Sequence, residues 1–397
     1  MNLFVIRYAE IALKGSNREW FEKKLLHNLR RHLDVLGKHH SWKIHSRMLV
    51  ETELDATLVA KVLSQIPGIA NFSLAVQETH DLEQLGKAVQ TLAEGYLTKH
   101  PQTQTFRIQA SRADKFFPLN SMNLSAHLGG AILERWPHLK VQLKDPQMEL
   151  GIEIWTQGRA ILYLEKSPGL GGLPVGSSGR MMSLLSGGID SPVASWQMNK
   201  RGAEMVYLNF HSYPYIGEES KEKVIQLVKH LSRYQPKTIL LVVPFAEIQK
   251  EIKTLCSERY RTLLYRRAMN RIGNRLSFKY RTKAFVTGEA LGQVASQTIE
   301  NLTCTEEAAQ FPILRPLIGL EKSEIIKLAK EIGTYPISIQ PYPDCCTVFL
   351  PRKPETRAKL EDLLAEEAKL DLNALVAQAV AGVEVLKFET SLEDRFF

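Results

Sequence analysis

Apolar and polar positions along the chain fall into three successive patterns. The first opens with LFVIRYAEIAL, which reads as a strand, and runs into KGSNREWFEKKLLHNLRRHLDVL, where Trp20, Phe21, Leu25, Leu29 and Leu33 recur at helical spacing. A strand pair in KIHSRMLVETEL, a helix in DATLVAKVLSQIPG and a strand in IANFSLAVQETH follow. That β-α-β-β-α-β order predicts a small ferredoxin-like sandwich over 1–78. The second pattern, over 79–168, is helix (LEQLGKAVQTLAEGYLT), strand (TFRIQASRA), helix (LSAHLGGAILERW) and strands (KVQLKDPQMELGIEIW, RAILYLEK), another α+β unit. SPGLGGLPVGSSGR lacks apolar periodicity and is rich in glycine, so 169–178 reads as a linker. Over 179–397 strands and helices alternate: MMSLL, AEMVYLNFHSY, SKEKVIQLVKHLSRY, TILLVVPF, a long helix through Arg266, KAFVTGEA and SEIIKLAKEIG. Alternation of this kind predicts a parallel sheet with helices on both faces and a ligand at the carboxyl ends of its strands.

Candidate chemistry concentrates at the first junction of the third pattern. In MMSLLSGGIDSPVASW an apolar strand ends at Leu185, Gly187 and Gly188 make a tight turn, and Pro192 suits a first helical turn. Helix N-terminal N–H groups then point into the loop, and Ser186 and Ser191 add hydroxyls, which together make a phosphate cradle. A plain strand-to-helix turn capped by Asp190 or Ser191 would use the same residue types. No Lys follows the glycines, which excludes a Walker-type loop.

Three later stretches fall at expected strand ends. LNFHSYP offers Asn209, Phe210 and His211 to line an adenine and ribose, and TGEALGQVASQT offers Gly288 and Gln297, where small residues let a backbone approach a ligand. Arg266 is placed for bidentate phosphate contact. Lys322, just before a helix with Ser323 as its expected cap, can neutralise charge on a departing phosphate group. Cys345 and Cys346 sit beside Asp344 in a proline-bounded loop and are candidate sulfur-handling thiols, whereas Cys256 and Cys304 read as structural.

Net charge changes the picture through its distribution. The formal charge is +8, residues 1–50 carry ten Lys or Arg against four acids, and residues 251–283 carry ten against two. Local basic faces suit a polyanionic partner, although a solvated helix face would look similar. The four cysteines lack C-x-x-C spacing, which argues against a disulfide scaffold or a structural zinc site, and no resident metal held by protein ligands alone is expected. No apolar run reaches the roughly 18 residues of a membrane span, and Arg7 and Glu10 interrupt any signal-peptide pattern, so a cytoplasmic location without membrane contact is expected.

The S-G-G-x-D-S pattern resembles the pyrophosphate loop of the PP-loop ATP pyrophosphatases, and FRIQASRADKFFPLNSMNLSAHLGGAILERWPHLKVQLKDPQMELGIEI resembles the THUMP RNA-binding domain. Within the THUMP-like stretch Arg107, Arg112, Lys115 and Phe116 suit phosphate contact and base stacking, with Phe117 an alternative that equally suits a core; Lys14 and Arg18 are the candidates in the basic first segment. With YAEIALKGSNREWFEKKL, GGLPVGSSGR, TGEALGQVASQT and DCCTVFLP the combination resembles the tRNA 4-thiouridine synthetases, the tRNA sulfurtransferase family, over essentially the whole chain.

That resemblance implies a PP-loop (HUP-like) α/β domain preceded by ferredoxin-like and THUMP domains. It implies ATP-dependent adenylation of the 4-oxygen of uridine-8 in tRNA, followed by sulfur delivery. On that reading Leu184, Leu185, Asn209, Phe210, Arg266, Gly288 and Gln297 line AMP, Asp190 and Lys322 support adenylation, and Cys345 or Cys346 contacts sulfur. Mg²⁺ is expected on the phosphates, with Asp190 the most placeable protein ligand. Many relatives carry a C-terminal rhodanese-like domain that is absent here, so sulfur is expected from a cysteine desulfurase or another persulfide donor. Oligomeric state, with a homodimer as one option, and a role in thiazole synthesis stay open. An amide synthase would not need the RNA module, a spent nucleotide site would not keep Ser186 to Ser191 intact, THUMP methyltransferases need G-x-G-x-G and D/N-P-P-Y, and iron–sulfur 2-thiolases need C-x-x-C.

Overall fold

In a computed structural model the chain forms two units, Met1–Gly171 and Gly172–Phe397. The structure describes residues 1–44 and 46–389, Cys346 through its backbone alone.

The first unit contains β1 (Asn2–Arg7), α1 (Arg18–Asp34), β2 (His39–Ile44), β3 (Arg47–Thr52), α2 (Ala56–Leu63) and β4 (Asn71–Thr79). It continues with α3 (Leu82–Lys99), β5 (Thr105–Arg112), α4 (Ser121–Arg135), β6 (Lys140–Val141), β7 (Met148–Trp155), β8 (Arg159–Tyr163) and β9 (Ser167–Pro168). Leu25, Leu29 and Leu33 of α1 are fully buried, as the spacing predicts, while Trp20 stays half-exposed. The two α+β patterns share one sheet, because β4 pairs antiparallel with β1 on one edge and with β8 on the other. The strand order is β2-β3-β1-β4-β8-β7-β5-β6, with β9 also on β4. A buried ion pair ties the two patterns: Arg7 Nε lies 3.0 Å from Glu153, which also receives Arg47 at 3.2 Å.

The second unit contains β10 (Arg180–Leu184), α5 (Asp190–Lys200), β11 (Glu204–His211), α6 (Glu218–Leu231), β12 (Lys237–Pro244), α7 (Ala246–Leu255), α8 (Arg261–Tyr280), β13 (Phe285–Val286) and α9 (Ile299–Glu306). β14 (Ile313–Leu314), α10 (Lys322–Glu331), α11 (Tyr335–Ser338), α12 (Leu360–Glu367), α13 (Leu372–Ala381) and β15 (Glu384–Glu389) complete it. The order is β14-β13-β10-β11-β12-β15, parallel except for the antiparallel edge strand β15. Met182, Val206, Leu208 and Phe210 face a core shared with α7 and α8, and Ser183 on the other face bonds Ser195 of α5 at 2.7 Å. After β10 the chain steps outward through β11 and β12, then returns to the other side as β13 and β14. The reversal lies between β10 and β13, where a doubly wound sheet opens a crevice at its carboxyl edge.

Residues 169–178 are tied down by hydrogen bonds rather than loose. Gly169 and Gly171 donate to Ala70 and Ile69, whereas Leu173, Gly176 and Ser178 donate to the backbone at the end of α5, at Lys200 and Gly202. Composition alone reports only that no regular element forms there. Among the described residues no helix is long and apolar enough to cross a membrane.

Candidate active site

β10 ends at Leu184 and α5 begins at Asp190, so residues 185–189 form the turn that the sequence pattern predicts. The Ser186 N–H donates to Ser191 Oγ at 2.9 Å, and the Gly188 N–H to Ser186 Oγ at 3.3 Å, which curls the loop over the start of α5. Ser191 therefore braces the loop, and neither it nor Asp190 caps the helix. Gly288, just past β13, has no room for a side chain: a Cβ there would lie 2.6 Å from Ser191 N. Contact this close between strand end and helix start is what the glycine permits.

Asp190 stands at the mouth of the cradle. Lys322 Nζ is 2.5 Å from its Oδ1 and Gln293 Nε2 donates to Oδ2 at 2.9 Å. Lys322 is the first residue of α10, whose cap position is Glu321; the expected cap Ser323 lies inside the helix, and the Glu321 N–H is satisfied by Glu324 at 2.9 Å. The Lys322 side chain is 44% exposed, so the pair contributes little to stability and both groups keep access to a ligand.

Next to the loop lies a cavity of about 340 Å³, the right order for a nucleotide. Its wall holds Leu184, Leu185, Ser186, Gly188, Asp190 and Ser191 from the end of β10 and the start of α5, Asn209 and Phe210 from β11, Gly288 from just past β13, Arg266 from α8 and Gln297 from the turn before α9. Asn209 Nδ2 donates to Leu185 O at 2.9 Å, which locks two strand ends together. Gly187 is not part of the wall; its N–H donates to Asp344, which is. His211 is not brought to the wall: its Nε2 lies 3.5 Å from Glu218, and burial pushes its pKa down despite that carboxylate. That Nε2 is buried and without a hydrogen-bond partner among the described residues.

Residues the sequence did not single out complete the wall. Glu289 binds Arg266, receives Arg315 Nε at 2.7 Å and Thr287 Oγ1 at 2.9 Å. Burial alone would raise its pKa, but the two guanidiniums hold the carboxyl below the ordinary range. Arg315 Nη2 and Gln297 Oε1 are buried without a hydrogen-bond partner among the described residues, the kind of unmet capacity a ligand satisfies. Glu289 directly follows Gly288 in the TGEA turn, so the signal that could have found it is an acid next to the close-approach glycine.

Asp344 and Cys345 also line the cavity. Cys345 is buried, and its carbonyl accepts Gln249 Nε2 at 2.8 Å; the side chain of Cys346 lies outside the described residues. Cys256 and Cys304 sit in the core, where burial pushes the Cys256 thiol up to about 11 and raises that of Cys304 too, so neither offers a thiolate near neutrality.

In the first unit Phe116 is 98% exposed and Lys115 beside it is exposed, whereas Phe117 is core. Arg112 donates to the carbonyls of Phe117 (3.1 Å) and Lys115 (3.3 Å), so it shapes the loop that presents them. Arg107 pairs with Glu149, Arg18 with Glu22 at 2.7 Å, and Lys14 with Glu10 at 3.5 Å. Those three are each paired with an acid of the first unit, buried in the case of Glu22.

Comparisons with known proteins agree along the chain. Residues 176–372 match the family model described as Thiamine biosynthesis protein (ThiI), residues 3–73 the ThiI ferredoxin-like domain, and residues 79–165 the THUMP domain. A curated relative named "Probable tRNA sulfurtransferase" from Alkaliphilus oremlandii is 41% identical over 394 residues, covering 99% of this chain and 100% of that protein. One of the same name from Thermoanaerobacter sp. is 42% identical over 370 residues, covering 93% and 96%. Among solved structures, a 4-thiouridine synthetase–RNA complex with bound ATP superposes with a TM-score of 0.89 at 36% identity, covering 98% of this chain and all of that one. PH1313 from Pyrococcus horikoshii superposes with a TM-score of 0.66 at 28% identity, covering 84% and 100%. A match of this identity over nearly the full length, with the family models spanning both the phosphate loop and the THUMP segment, means that the chain belongs to the ThiI family of tRNA sulfurtransferases.

Proposed function

We propose that this protein uses ATP to adenylate the 4-oxygen of uridine-8 in tRNA and then replaces that oxygen with sulfur, yielding 4-thiouridine, AMP and pyrophosphate. The observation that carries this reading is the Ser186–Ser191 loop at the carboxyl edge of a parallel sheet, with Asp190 and Lys322 at its mouth and a nucleotide-sized cavity beside it.

A uracil carbonyl oxygen is a poor leaving group, and adenylation converts it into part of AMP. The oxygen attacks the α-phosphorus, the bond to pyrophosphate breaks, and the loop N–H groups and Lys322 stabilise the charge that accumulates on the departing group. Arg266 and Arg315, fixed by Glu289, face the AMP half together with Leu184, Leu185, Asn209, Phe210, Gly288 and Gln297. The outer sulfur of a persulfide R–S–SH then attacks the ring carbon and AMP leaves with the original oxygen, giving a ring–S–S–R adduct. A second thiol attacks the R sulfur of that adduct, 4-thiouridine departs, and the disulfide left behind is reset by an external thiol reductant. Cys345 or Cys346 handles that sulfur, delivered by a cysteine desulfurase or another persulfide carrier.

Mg²⁺ fits the donor set here, since it prefers one or two carboxylates with phosphate oxygens and water, and Asp190 keeps lone pairs beyond those used by Lys322 and Gln293. When bound it would neutralise phosphate charge. Phe116 and Lys115 offer a stacking surface and a cation to RNA. A cytoplasmic, reducing compartment suits buried thiols at Cys256 and Cys304.

The test is pyrophosphate release by the purified chain with ATP, Mg²⁺ and tRNA transcripts, followed by nucleoside mass spectrometry once a persulfide donor is added. Release with wild-type tRNA, its loss with a uridine-8→cytidine transcript, and its loss in Asp190→Ala with the fold intact are expected. Equal release on both transcripts would refute the substrate assignment.

A further inference from the structure

Gly187 donates its N–H at 2.7 Å to a carboxylate from the cysteine loop, Oδ1 of Asp344. The approach is close enough that a Cβ on Gly187 would sit 3.1 Å from that oxygen, and one on Gly188 would sit 3.7 Å from Oδ2. Asp344 thus puts an anion against the backbone donors that a phosphate cradle presents to its ligand. One N–H cannot serve the carboxylate and a phosphate oxygen together, and two anions in one cradle repel.

Behind Asp344 lies Lys223, 4% exposed, whose Nζ donates to Gln340 O at 2.9 Å and Tyr342 O at 3.4 Å. Its Cδ and Cε would be 3.1 and 3.2 Å from a Gly187 Cβ, so the lysine underlies both the phosphate loop and the segment leading to Asp344. Burial pushes its pKa down and the Asp344 carboxylate opposes that, while burial raises Asp344 against the pull of the Gly187 N–H and Lys223. The next residue is Cys345, buried and facing the same cavity.

Building on the nucleotide reading above, we propose that Asp344 is a positioning residue that couples the phosphate loop to the cysteine loop: the triphosphate takes the Gly187 N–H from Asp344, and the displaced residue carries Cys345 out of its buried position. Lys223, held by the carbonyls of Gln340 and Tyr342, keeps a positive charge under the loop when the carboxylate gives way to a phosphate. The thiol stays shielded until the nucleotide is seated, which orders adenylation before sulfur handling.

The experiment uses the full chain in a Cys346→Ser background, with iodoacetamide labelling of Cys345 read by peptide mass spectrometry and Cys256 and Cys304 as internal references. Mg²⁺ with α,β-methylene-ATP, which resists cleavage at the reacting bond, is the probe, and its Kd is measured by calorimetry on the same sample. The analogue is expected to speed Cys345 labelling about tenfold, the factor by which a closed form populated at 90% would mask the open one. Asp344→Ala should label fast with or without analogue. Asp344→Asn, isosteric and still able to accept the N–H, should bind the analogue severalfold more tightly and keep the labelling response. Tight analogue binding with unchanged or slower labelling overturns the coupling while leaving the nucleotide reading intact. Weaker analogue binding in Asp344→Asn also overturns it, since Asp344 would then hold the nucleotide rather than yield to it. No analogue binding at all overturns both.

Discussion

Arg266 and Arg267 are chain neighbours on α8, and each ends on a glutamate shared with a second arginine. Arg267 grips Glu367 through Nε at 2.8 Å and Nη2 at 2.9 Å, Arg271 adds a contact at 2.6 Å, and Glu307 and the Cys304 carbonyl take further Arg267 donors. Arg266 shares Glu289 with Arg315. In both clusters burial would raise the central carboxyl and the guanidiniums pull it below the ordinary range. What separates them is closure. Arg267 is fully buried and enclosed by acceptors, whereas Arg266 and Arg315 stand on a cavity wall and Arg315 Nη2 lacks a partner among the described residues. A perturbed, buried ion pair therefore does not identify a site by itself; unmet hydrogen-bonding capacity facing a cavity does.

The strongest way to break this contrast is Arg267→Met. Removing Arg267 leaves the buried Glu367 with only the partly exposed Arg271 as a partner, while Glu307 is half-exposed and stays solvated, and the expected cost is about 3 kcal/mol of unfolding free energy, read by urea denaturation. Turnover per folded molecule should be unchanged. A stable variant with lost turnover would place Arg267 in the machinery and erase the distinction.

Acid sharpens the same point. The folded pKa values of Glu289 and Glu367 are depressed, so the folded state binds those protons less readily than the unfolded chain. Their contribution to stability is complete above the unfolded carboxylate range, about pH 4.5, and is lost as pH falls through the lower folded values. Urea midpoints measured down a pH series should drop below that point. Arg267→Met should flatten the part due to Glu367 and leave the part due to Glu289.

These clusters also mark what the sequence could and could not disclose. The phosphate loop was legible because Ser186, Gly187, Gly188, Asp190 and Ser191 are contiguous and their spacing dictates the turn. Asp344 reaches Gly187 across 157 residues, and no local pattern encodes that meeting. Arginines of the run 251–283 look alike in sequence, since what distinguishes Arg266, Arg267 and the exposed Arg275 is the location of partners on other elements. Element order was readable from apolar periodicity. The sharing of one sheet by the first two patterns was not, because β4 offers both its edges and sequence does not say what fills the second. His211 ends β11 as the pattern predicts, and its approach to Glu218 depends on a helix start seven residues later that no local pattern encodes.

On the cavity side, Glu289→Gln should lower kcat/KM for ATP-dependent pyrophosphate release about 100-fold, the scale of losing one preorganised electrostatic contact in a closed site. The amide keeps the shape but no longer fixes two guanidiniums. Stability should fall less than in Arg267→Met, because Arg266 and Arg315 stand on a cavity wall rather than in a closed interior. A pyrophosphate rate equal to wild type would reduce the Glu289 cluster to a second structural pair.

The smallest effect tests the same logic on another neighbouring pair. Phe116 and Phe117 are adjacent and chemically identical, yet one is 98% exposed and the other 4%. Phe117 packs with Leu124, Leu128 and Ile154 in the core of the first unit, so its apolar surface is already used. Phe116 presents a bare ring beside Lys115, and an exposed aromatic next to a cation contributes to nucleic-acid affinity through stacking. Phe116→Ala should weaken tRNA binding by about 1 kcal/mol, at the low end for one stacked base, when measured at fixed ionic strength. It should leave the urea midpoint alone, because no buried surface is removed. An unchanged Kd with a lowered midpoint would mean that the ring serves the fold after all, and that exposure is as poor a guide to function in this unit as burial is in the other.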